Sequence, residues 1–443
     1  MDKNSPNVSV IILCSNNAGI SIVIDSVLSQ LDSDDEIIIV DDHSDKKTID
    51  EIYSYKRNNI FIMHSSLKGN RAFNRNLGAS ESKNDILIFI DGDMVLDSFA
   101  LNEFKTAHQN RIECAFVGQT HATRYSEKAL YYFSGINNYL DIIPSDIGKK
   151  SIFNNKMFAD KRVPFFQDKD LRDYYWLLYY SGVCSVERNI FFKAGRFDES
   201  FTQWGAEDVD LGYRISKIGK IGFIENAHSL HIPHKRDIFE IEKSNKLNIE
   251  KLYIKYQTWE WELLNSFRIT PELLSSVIAI KQQLELIDFD NITYLTDNDS
   301  VIINVISKSN PNGLIKYYHD NTVCCKNCIG LSLAFLPRKF KNIYISESIF
   351  VYPNFLFCRV LQQSLTYADN VYIVNSNKST NINIRIIDFS KFNNISFQPQ
   401  MRTDYISNDI MEFNFEKINE MLTKVTCKIN FKQSLISKTF WET

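Results

Sequence analysis

The sequence has few cysteines, no long apolar run and no excess of either charge. Eight cysteines in 443 residues, at irregular spacing, do not form the dense framework of a small secreted disulfide scaffold. The most apolar later stretch, from Tyr174 to Cys184, is shorter than the roughly 20 residues that cross a bilayer. Lys and Arg number 50 against 54 Asp and Glu, a formal charge of -4, which lacks the basic excess of a dedicated nucleic-acid binder. Neither a transmembrane segment nor a nucleic-acid partner is therefore predicted.

The amino terminus does not have the pattern of an export signal. Its apolar run, Val8 to Cys14, is broken by Ser9 and followed at once by polar residues, whereas a signal peptide has a longer apolar centre. We therefore expect a cytoplasmic protein, either free or peripheral at the inner face of the membrane.

The beginning of the chain alternates between short apolar runs and helical patterns. Apolar residues at helical spacing predict a helix between residues 20 and 28, and this alternation is typical of βα units in a parallel sheet. Such sheets bind ligands at the carboxyl ends of their strands. The strands that the pattern predicts are Val8–Leu13, Glu36–Val40, Ile60–Met63 and Asp85–Ile90.

The carboxyl-terminal part changes character after Pro271. Residues 237–284 are predicted to form a helical connector, and residues 285–443 a second mixed α/β domain. No catalytic constellation is recognisable in that domain, so acceptor binding or homo-oligomerisation is the default expectation for it. Its predicted strands are Ile292–Leu295, Val301–Ile306, Val371–Val374 and Ile382–Ile387, with a helix that ends near Ala368.

Acidic residues follow two strands of the first region directly. Asp41 and Asp42 come after the second strand, and Asp91-Gly92-Asp93 ends the fourth. Carboxylate oxygens suit a Mg²⁺ or Mn²⁺ ion that carries a diphosphate. Because Asp-Gly-Asp is also ordinary turn chemistry, this motif alone leaves a structural turn as an equal alternative.

Further motifs extend the acidic pattern in a fixed order along the chain. With them the chain resembles the family 2 glycosyltransferases of the GT-A fold. The similarity is greatest to the branch with a Trp-Gly-Gly-Glu-Asp motif, as in bacterial chondroitin and hyaluronan synthases and the β-1,4-galactosyltransferases. The resemblance covers about residues 7–235 and implies that residues 1–236 form a Rossmann-like α/β catalytic domain. The motifs are Val8–Asn16, Ile37–Ser44, Asn70–Gly78, Ile86–Met94 and Gly182–Gly219, the last containing Trp204-Gly205-Ala206-Glu207-Asp208.

The resemblance implies a UDP-sugar donor and a Mn²⁺ or Mg²⁺ cofactor. By position, Asp42 would recognise the uracil, and Asp93, with Asp91, would hold the metal beside the donor diphosphate. Asp208 would be the base of an inverting transfer, which needs a carboxylate at the acceptor hydroxyl while the metal neutralises the diphosphate. Without the preceding Trp-Gly, the acidic pair Glu207 and Asp208 would be interpreted as a solvated helix start.

The resemblance also gives roles to neighbouring side chains. Glu207 would act at the catalytic site by contacting the acceptor or donor sugar. Trp204 would offer an apolar face to a sugar ring, with a core tryptophan as the alternative. Arg71 is expected near the donor nucleotide, and Arg75 is expected to be structural.

Three histidines recur at intervals of three at the end of this region, at positions 228, 231 and 234. Similar enzymes place a histidine after the Glu-Asp helix to complete the metal site, and imidazole beside carboxylate suits Mn²⁺. The alignment favours His231 as that ligand, and His234 is the second choice.

The sequence departs from the family pattern at two places. Leu13 to Asn16 lacks the aromatic residue that can stack on the base, and Ala206 stands where glycine is usual. The added methyl group would lie near the donor sugar, which leaves the identity of that sugar open.

The expected activity is a metal-dependent, inverting transfer of a hexose or HexNAc from a UDP-sugar to a hydroxyl of a glycan or other acceptor. Bacterial surface polysaccharide assembly is the expected setting. The alternatives are a peptide or protein acceptor and a non-catalytic carbohydrate-binding subunit of the same fold. A nucleotidyltransferase would need a glycine-rich loop after the first strand, which residues 14–19 do not form. A retaining enzyme would tend to have Asn where Asp208 stands.

Overall fold

A computed structural model of the chain shows two β-sheets, one in each of two units, Met1–Asn248 and Ile249–Thr443. Within the described residues no helix combines the length and apolar character that crossing a bilayer requires. The residues described are 6–16, 19–109, 113–123, 157–158, 160, 162–232, 234, 237–266, 271, 273–275, 278, 299–304, 313–319, 322–333, 335–346, 349, 354–374, 410–417 and 422–430.

The first unit is built on a sheet of order β3-β2-β1-β4-β8-β6-β9-β5, with β7 beside β6. Its strands are β1 (Val8–Cys14), β2 (Glu36–Asp41), β3 (Ile60–His64), β4 (Ile86–Asp91), β5 (Met94–Leu96), β6 (Ala115–Thr123), β7 (Met157–Phe158), β8 (Val183–Glu187) and β9 (Ile221–His231). Its helices are α1 (Ile20–Leu28), α2 (Lys46–Tyr53), α3 (Arg71–Glu81), α4 (Ala100–Gln109), α5 (Val163–Gln167), a 3₁₀ helix (Lys169–Leu178), α6 (Arg188–Lys193) and α7 (Glu207–Ser216). Helix α8 (Ile238–Tyr256) begins in this unit and ends in the second.

The core of this sheet is the parallel trio β2-β1-β4. Val10 of β1 is paired with Ile37 of β2 and with Ile88 of β4, and all three side chains are fully buried. Strands covered on both faces read as continuous apolar runs, and each such side chain contributes about 1.5–3 kcal/mol on burial. The four strands predicted up to residue 90 each form within one residue of the expected bounds, which confirms the predicted α/β class.

The second unit contains a sheet of order β12-β11-β10-β13-β14-β16-β15. Strand β13 pairs in parallel with β10 and β14, and the other pairings are antiparallel, so the predicted second mixed α/β region is confirmed. The predicted strands Ile292–Leu295 and Ile382–Ile387 lie outside the described residues. The strands are β10 (Ser300–Asn304), β11 (Leu314–His319), β12 (Thr322–Lys326), β13 (Phe340–Ser346), β14 (Ala368–Val374), β15 (Ile410–Lys417) and β16 (Leu422–Asn430), and the helices are α9 (Trp259–Ser266) and α10 (Asn354–Tyr367).

A buried carboxylate on α9 organises the segment between β12 and β13. Glu262 is fully buried and accepts hydrogen bonds from the backbone N–H groups of Ile329 at 2.6 Å, Leu331 at 2.5 Å and Ser332 at 3.0 Å. The thiol of Cys328 donates to the same carboxylate at 3.1 Å. Buried backbone N–H groups need acceptors, and here a single side chain satisfies three of them.

We expect Glu262→Ala to lower the free energy of unfolding by about 3 kcal/mol, because several buried donors lose their acceptor at once. Glu260→Ala is the matched control, since Glu260 lies on the same helix and is partly exposed. Urea denaturation of the two variants beside the wild type measures the difference. Equal stability of the two variants would show that the carboxylate does not hold this segment.

Candidate functional site

The polar residues predicted to act together lie at the carboxyl ends of the parallel strands. Asp91 ends β4, and Asp42 directly follows β2. Strand β9 reaches the same neighbourhood through β5, because Met94 pairs with His231 and the N–H of Ile232 donates to the carbonyl of Asp93 at 2.7 Å. The backbone pairing thus brings the Asp-Gly-Asp turn and the histidine segment side by side.

A bulge in β9 sets which side chains of that strand face Asp93. Gly118 of β6 pairs with Ile224, but the next residue, Gln119, pairs with His228. Three residues of β9 are therefore extra at this point, and regular pairing resumes through Ala122 and His231. The register after the bulge places His231 next to the acidic turn.

Asp93, His231 and His234 form a cluster suited to a divalent cation. Asp93 Oδ2 lies 3.0 Å from His234 Nε2 and 3.5 Å from His231 Nε2, and one ligand atom from each residue falls within 4.8 Å of the others. No other group of this kind occurs among the residues that the structure describes. A carboxylate with two imidazoles is a donor set that fits Mn²⁺.

The carboxylate of Asp93 is ionised at neutral pH. Burial alone would raise its pKa, but hydrogen bonds and favourable charge interactions with His231 and His234 outweigh burial, so the pKa lies well below the ordinary value. An anionic carboxylate is the form that ligates a metal.

Asp91 lies outside this cluster and forms part of a different network. Arg75 of α3, whose side chain is only 2% exposed, places Nη2 2.8 Å from Asp91 Oδ1 and Nη1 3.0 Å from Glu207 Oε1. The structure therefore brings Asp91 and Glu207 together through a buried arginine, while Asp93 lies with the histidines.

Helix α7 begins at a tight turn. Gly205 has φ +100 and Ala206 has φ +70, so two consecutive residues adopt the left-handed region. A β-carbon at Gly205 would come within 2.6 Å of Asn245 Oδ1, which requires glycine there. The left-handed backbone of Ala206 is a physical reason for glycine to be usual at that position.

The same turn exposes Trp204 while fixing its backbone. The Trp204 carbonyl accepts hydrogen bonds from Ser244 Oγ at 2.7 Å and Asn248 Nδ2 at 3.3 Å. The tryptophan side chain is 38% exposed. The alternative of a core tryptophan does not describe this residue, whose ring is available on the surface.

Asp208 is the second residue of α7, and the pKa of its carboxyl group is raised. Its Oδ2 accepts from the Ser181 N–H at 3.3 Å and its Oδ1 from the Val209 N–H at 2.8 Å. Burial, followed by repulsion from Glu207, raises its pKa to about 7, and the positive charge of Arg75 opposes that rise. A carboxyl with this pKa exchanges a proton near neutral pH.

Glu207 is buried and only partly satisfied. Its Oε1 is held by Arg75, whereas Oε2 has no hydrogen-bond partner within the part of the chain that the structure describes. A buried acceptor oxygen without a partner is costly. This oxygen is therefore suited to accept a hydrogen bond from a hydroxyl group of a bound molecule.

Asp42 and Arg71 mark the opposite side of the same strand edge. The Gly69 N–H donates to both carboxylate oxygens of Asp42 at 2.9 Å, so this aspartate supports the loop that leads into α3. Arg71 is the first residue of α3 and is exposed. Asp42 directly follows β2, and Arg71 begins the helix that follows β3.

Arg75, for which the sequence predicts a structural role, joins two of the predicted site residues directly. The sequence does not predict these two contacts. Asn74, Arg75 and Asn76 are all buried, and three consecutive polar residues on a helix carry no pattern that indicates such burial.

The part of the chain that carries this site is similar in sequence to known proteins. Residues 9–186 match the family model described as Glycosyl transferase family 2. Validoxylamine A glucosyltransferase of Streptomyces hygroscopicus subsp. jinggangensis is 26% identical over 230 residues, which cover 50% of this chain and 54% of that protein. Chondroitin synthase of Escherichia coli is 26% identical over 214 residues, covering 45% and 30% respectively.

Two further proteins are similar to this chain. The glycosyltransferase YfnE of Bacillus subtilis is 24% identical over 285 residues, covering 58% of this chain and 72% of that one. The solved structure of S. aureus TarS in complex with UDP-GlcNAc has 13% identity and a TM-score of 0.41 over 56% of this chain and 66% of that one.

The chain spans about half the length of the curated relatives it matches first. The family match falls on the strands β1 to β8, which include the Asp-Gly-Asp turn and end shortly before the Trp-Gly-Ala-Glu-Asp motif. The amino-terminal unit of the chain therefore carries, over residues 9–186, the sequence pattern of a family 2 glycosyltransferase domain.

Proposed function

We propose that this protein transfers a sugar from a UDP-sugar to a hydroxyl group of an acceptor, with inversion at the anomeric carbon. The observation that carries the proposal is the Asp93-His231-His234 cluster at the carboxyl ends of the strands of a family 2 domain. Asp208, whose pKa is about 7, is a separate carboxyl group suited to proton transfer. An inverting transfer needs these two functions at different places.

Asp93, His231 and His234 would hold Mn²⁺ or Mg²⁺, with the imidazoles favouring Mn²⁺. When bound, the cation supplies positive charge beside the diphosphate of the donor. The low pKa of Asp93 keeps this ligand ionised without the help of a metal. Asp91 would help to hold the turn that carries Asp93, through its ion pair with Arg75.

Asp208 would accept the proton of the attacking hydroxyl. The acceptor oxygen forms the new bond to the anomeric carbon, the bond from that carbon to the UDP oxygen breaks, and the proton of the acceptor hydroxyl moves to the Asp208 carboxylate. The ionised fraction of Asp208 rises with pH through about 7, so the base is available at neutral and higher pH.

Other site residues would bind the substrates. Glu207 Oε2 is buried with no hydrogen-bond partner among the described residues, and it would accept a hydrogen bond from a sugar hydroxyl. The exposed ring of Trp204 would pack against a sugar face. Asp42 and Arg71 would lie along the nucleotide, with Asp42 also holding the Gly69 loop.

The acceptor is proposed to be a carbohydrate, in the assembly of a bacterial surface polysaccharide, and residues 285–443 are proposed to bind it or to form a homo-oligomer. The names of two relatives refer to quite different molecules, validoxylamine A and chondroitin. A screen of glycan and peptide acceptors with radiolabelled donor therefore distinguishes the proposed acceptor from a peptide or protein.

Asp208→Asn is expected to reduce transfer by about 10²- to 10⁴-fold, because it removes the proton acceptor. UDP affinity in Mn²⁺ should change less than twofold, and the thermal midpoint should not fall, because an amide replaces a carboxylate that is costly to ionise. UDP release from a panel of UDP-sugars, calorimetry and thermal melting measure the three quantities.

Asp173→Asn is the matched control for this variant, since Asp173 is exposed on the 3₁₀ helix. It should retain wild-type turnover. Transfer by Asp208→Asn at more than half the wild-type rate would exclude Asp208 as the base.

Alanine in place of Asp93, His231 or His234 should raise the Mn²⁺ concentration for half-maximal activity by about tenfold or more. Loss even of a group that only supports a metal ligand typically lowers metal affinity by this factor. His228→Ala is the control, since His228 lies on the same strand but is paired with His121 at 3.1 Å. Mn²⁺ titration of UDP release measures the effect. An unchanged Mn²⁺ requirement in both His231→Ala and His234→Ala would remove the histidines from the metal site.

The rate at saturating donor should rise with pH and level off above about 7, because ionised Asp208 is the active form and its pKa is raised to about 7. A profile from pH 5.5 to 8.5 at constant Mn²⁺ checks this. A rate that falls as pH rises through 7 would contradict a carboxylate base.

A further inference from the structure

The guanidinium of Arg75 is buried and lies between Asp91 and Glu207. It lies over the ring of Phe197, with Cζ 5.3 Å from the ring centroid. The neighbouring Asn76 fixes that partner, because its Oδ1 accepts from the Phe197 N–H at 3.0 Å and its Nδ2 donates to the Phe197 carbonyl at 2.9 Å. One helix thus supplies the arginine and fastens the ring beneath it.

The two carboxylates that Arg75 binds lie close in sequence to two residues with different proposed roles, the metal ligand Asp93 and the base Asp208. Asp91 lies two residues before Asp93, and its N–H is anchored to the Gly182 carbonyl at 3.0 Å. Glu207 is the first residue of α7 and directly precedes Asp208. The arginine therefore links the turn that carries the predicted metal ligand to the helix that carries the predicted base.

We propose that Arg75 is a positioning residue for the transfer reaction, which fixes the acidic turn and the start of α7 relative to each other and places its positive charge at Glu207, the residue that precedes Asp208. The inference rests on the proposed function. A purely structural ion pair is the alternative, because a buried arginine between two carboxylates also stabilises a fold locally.

Four ionisable side chains interact with Asp208, and they explain why Arg75 affects the proposed base. They are Glu207 on α7, Arg75 on α3, Tyr179 after the 3₁₀ helix and Cys184 on β8. Burial raises the pKa of Cys184 to about 12 and that of Tyr179 well above its ordinary value, so both are neutral near pH 7. After burial, which is the largest cause of the raised pKa of Asp208, the repulsion from Glu207 and the opposing attraction to Arg75 have the largest effects on that pKa.

Arg75 also orients the carboxylate that would receive a sugar hydroxyl. It occupies Glu207 Oε1 and leaves Oε2 without a partner among the described residues. A two-armed guanidinium can hold Asp91 and Glu207 in fixed directions at once, which a lysine ammonium cannot reproduce.

The test compares Arg75→Gln and Arg75→Lys in the full chain, with Arg214→Gln as the matched control. Arg214 also forms a partly buried ion pair on α7, with Nη2 2.6 Å from Asp210 Oδ2, but it does not contact Asp91 or Glu207 in any hydrogen bond described for it. Turnover, donor KM, the pH–rate midpoint and the thermal midpoint are measured for each variant at saturating Mn²⁺.

Arg75→Gln should lower kcat by about tenfold or more and move the rising limb of the pH profile upward by about 1 pH unit or more, since a positive charge near Asp208 is lost. Arg75→Lys should keep the limb close to the wild-type position while kcat still falls, because charge is retained and the fork is not. Arg214→Gln should lose stability without any movement of the limb.

A wild-type pH midpoint in Arg75→Gln, with no larger loss of kcat than in Arg214→Gln, would overturn the positioning role. If Arg75→Gln does not fold, a wild-type kcat in Arg75→Lys overturns it instead. A wild-type protein that neither releases UDP from any UDP-sugar nor binds UDP with Mn²⁺ would contradict the proposed function itself. An active wild type with unaffected Arg75 variants contradicts only this inference.

Discussion

The parallel pairing of β1 with β2 and β4 is the constraint on which the rest of the site depends. The register aligns Cys14 with Asp41 and Leu13 with Asp91, so both flanking strands end in a carboxylate at the same edge. Because these strands are buried on both faces, ionised groups can be accommodated only at their ends. The apolar interior thus determines where the charges collect.

At that edge, residues of the same type behave in opposite ways because their partners differ. Asp93 faces two imidazoles, and its pKa is lowered. Asp208 is partly buried and lies next to Glu207, and its pKa is raised to about 7. Environments that separate the pKa values of two carboxyl groups in one site are a recurrent means of assigning a permanently charged role to one and a proton-exchanging role to the other.

The sequence predicted well those features that depend on neighbouring residues. The strands up to residue 90 were found because continuous apolar runs between turn signals are a strong local pattern. The histidine assignment was helped by the resemblance, and the structure brings His231 and His234 together at Asp93. The role of Arg75 could not be obtained in this way, because its burial depends on elements more than a hundred residues away.

The second unit shows the same limit. Strands β10 and β14 coincide with apolar runs that the sequence indicates. Strand β15, Ile410–Lys417, alternates Phe with Glu and Asn, a weaker signal that becomes persuasive only once its partner β16 is known. Strands β11 and β12 mix strand-forming Ile, Tyr, Thr and Val with lysine, histidine and cysteine, so no continuous apolar run marks them.

The bulge in β9 has a consequence for the evolutionary history of this segment. Side chains of a strand alternate between faces, so insertion or loss of one residue between the bulge and His231 would turn the histidine away from Asp93. A change of two residues would restore the face but displace the imidazole along the strand by about 6–7 Å. Length variation among descendants of this gene is therefore expected to be tolerated within the bulge, at residues 225–227, and to be purged by selection in the four-residue stretch 228–231.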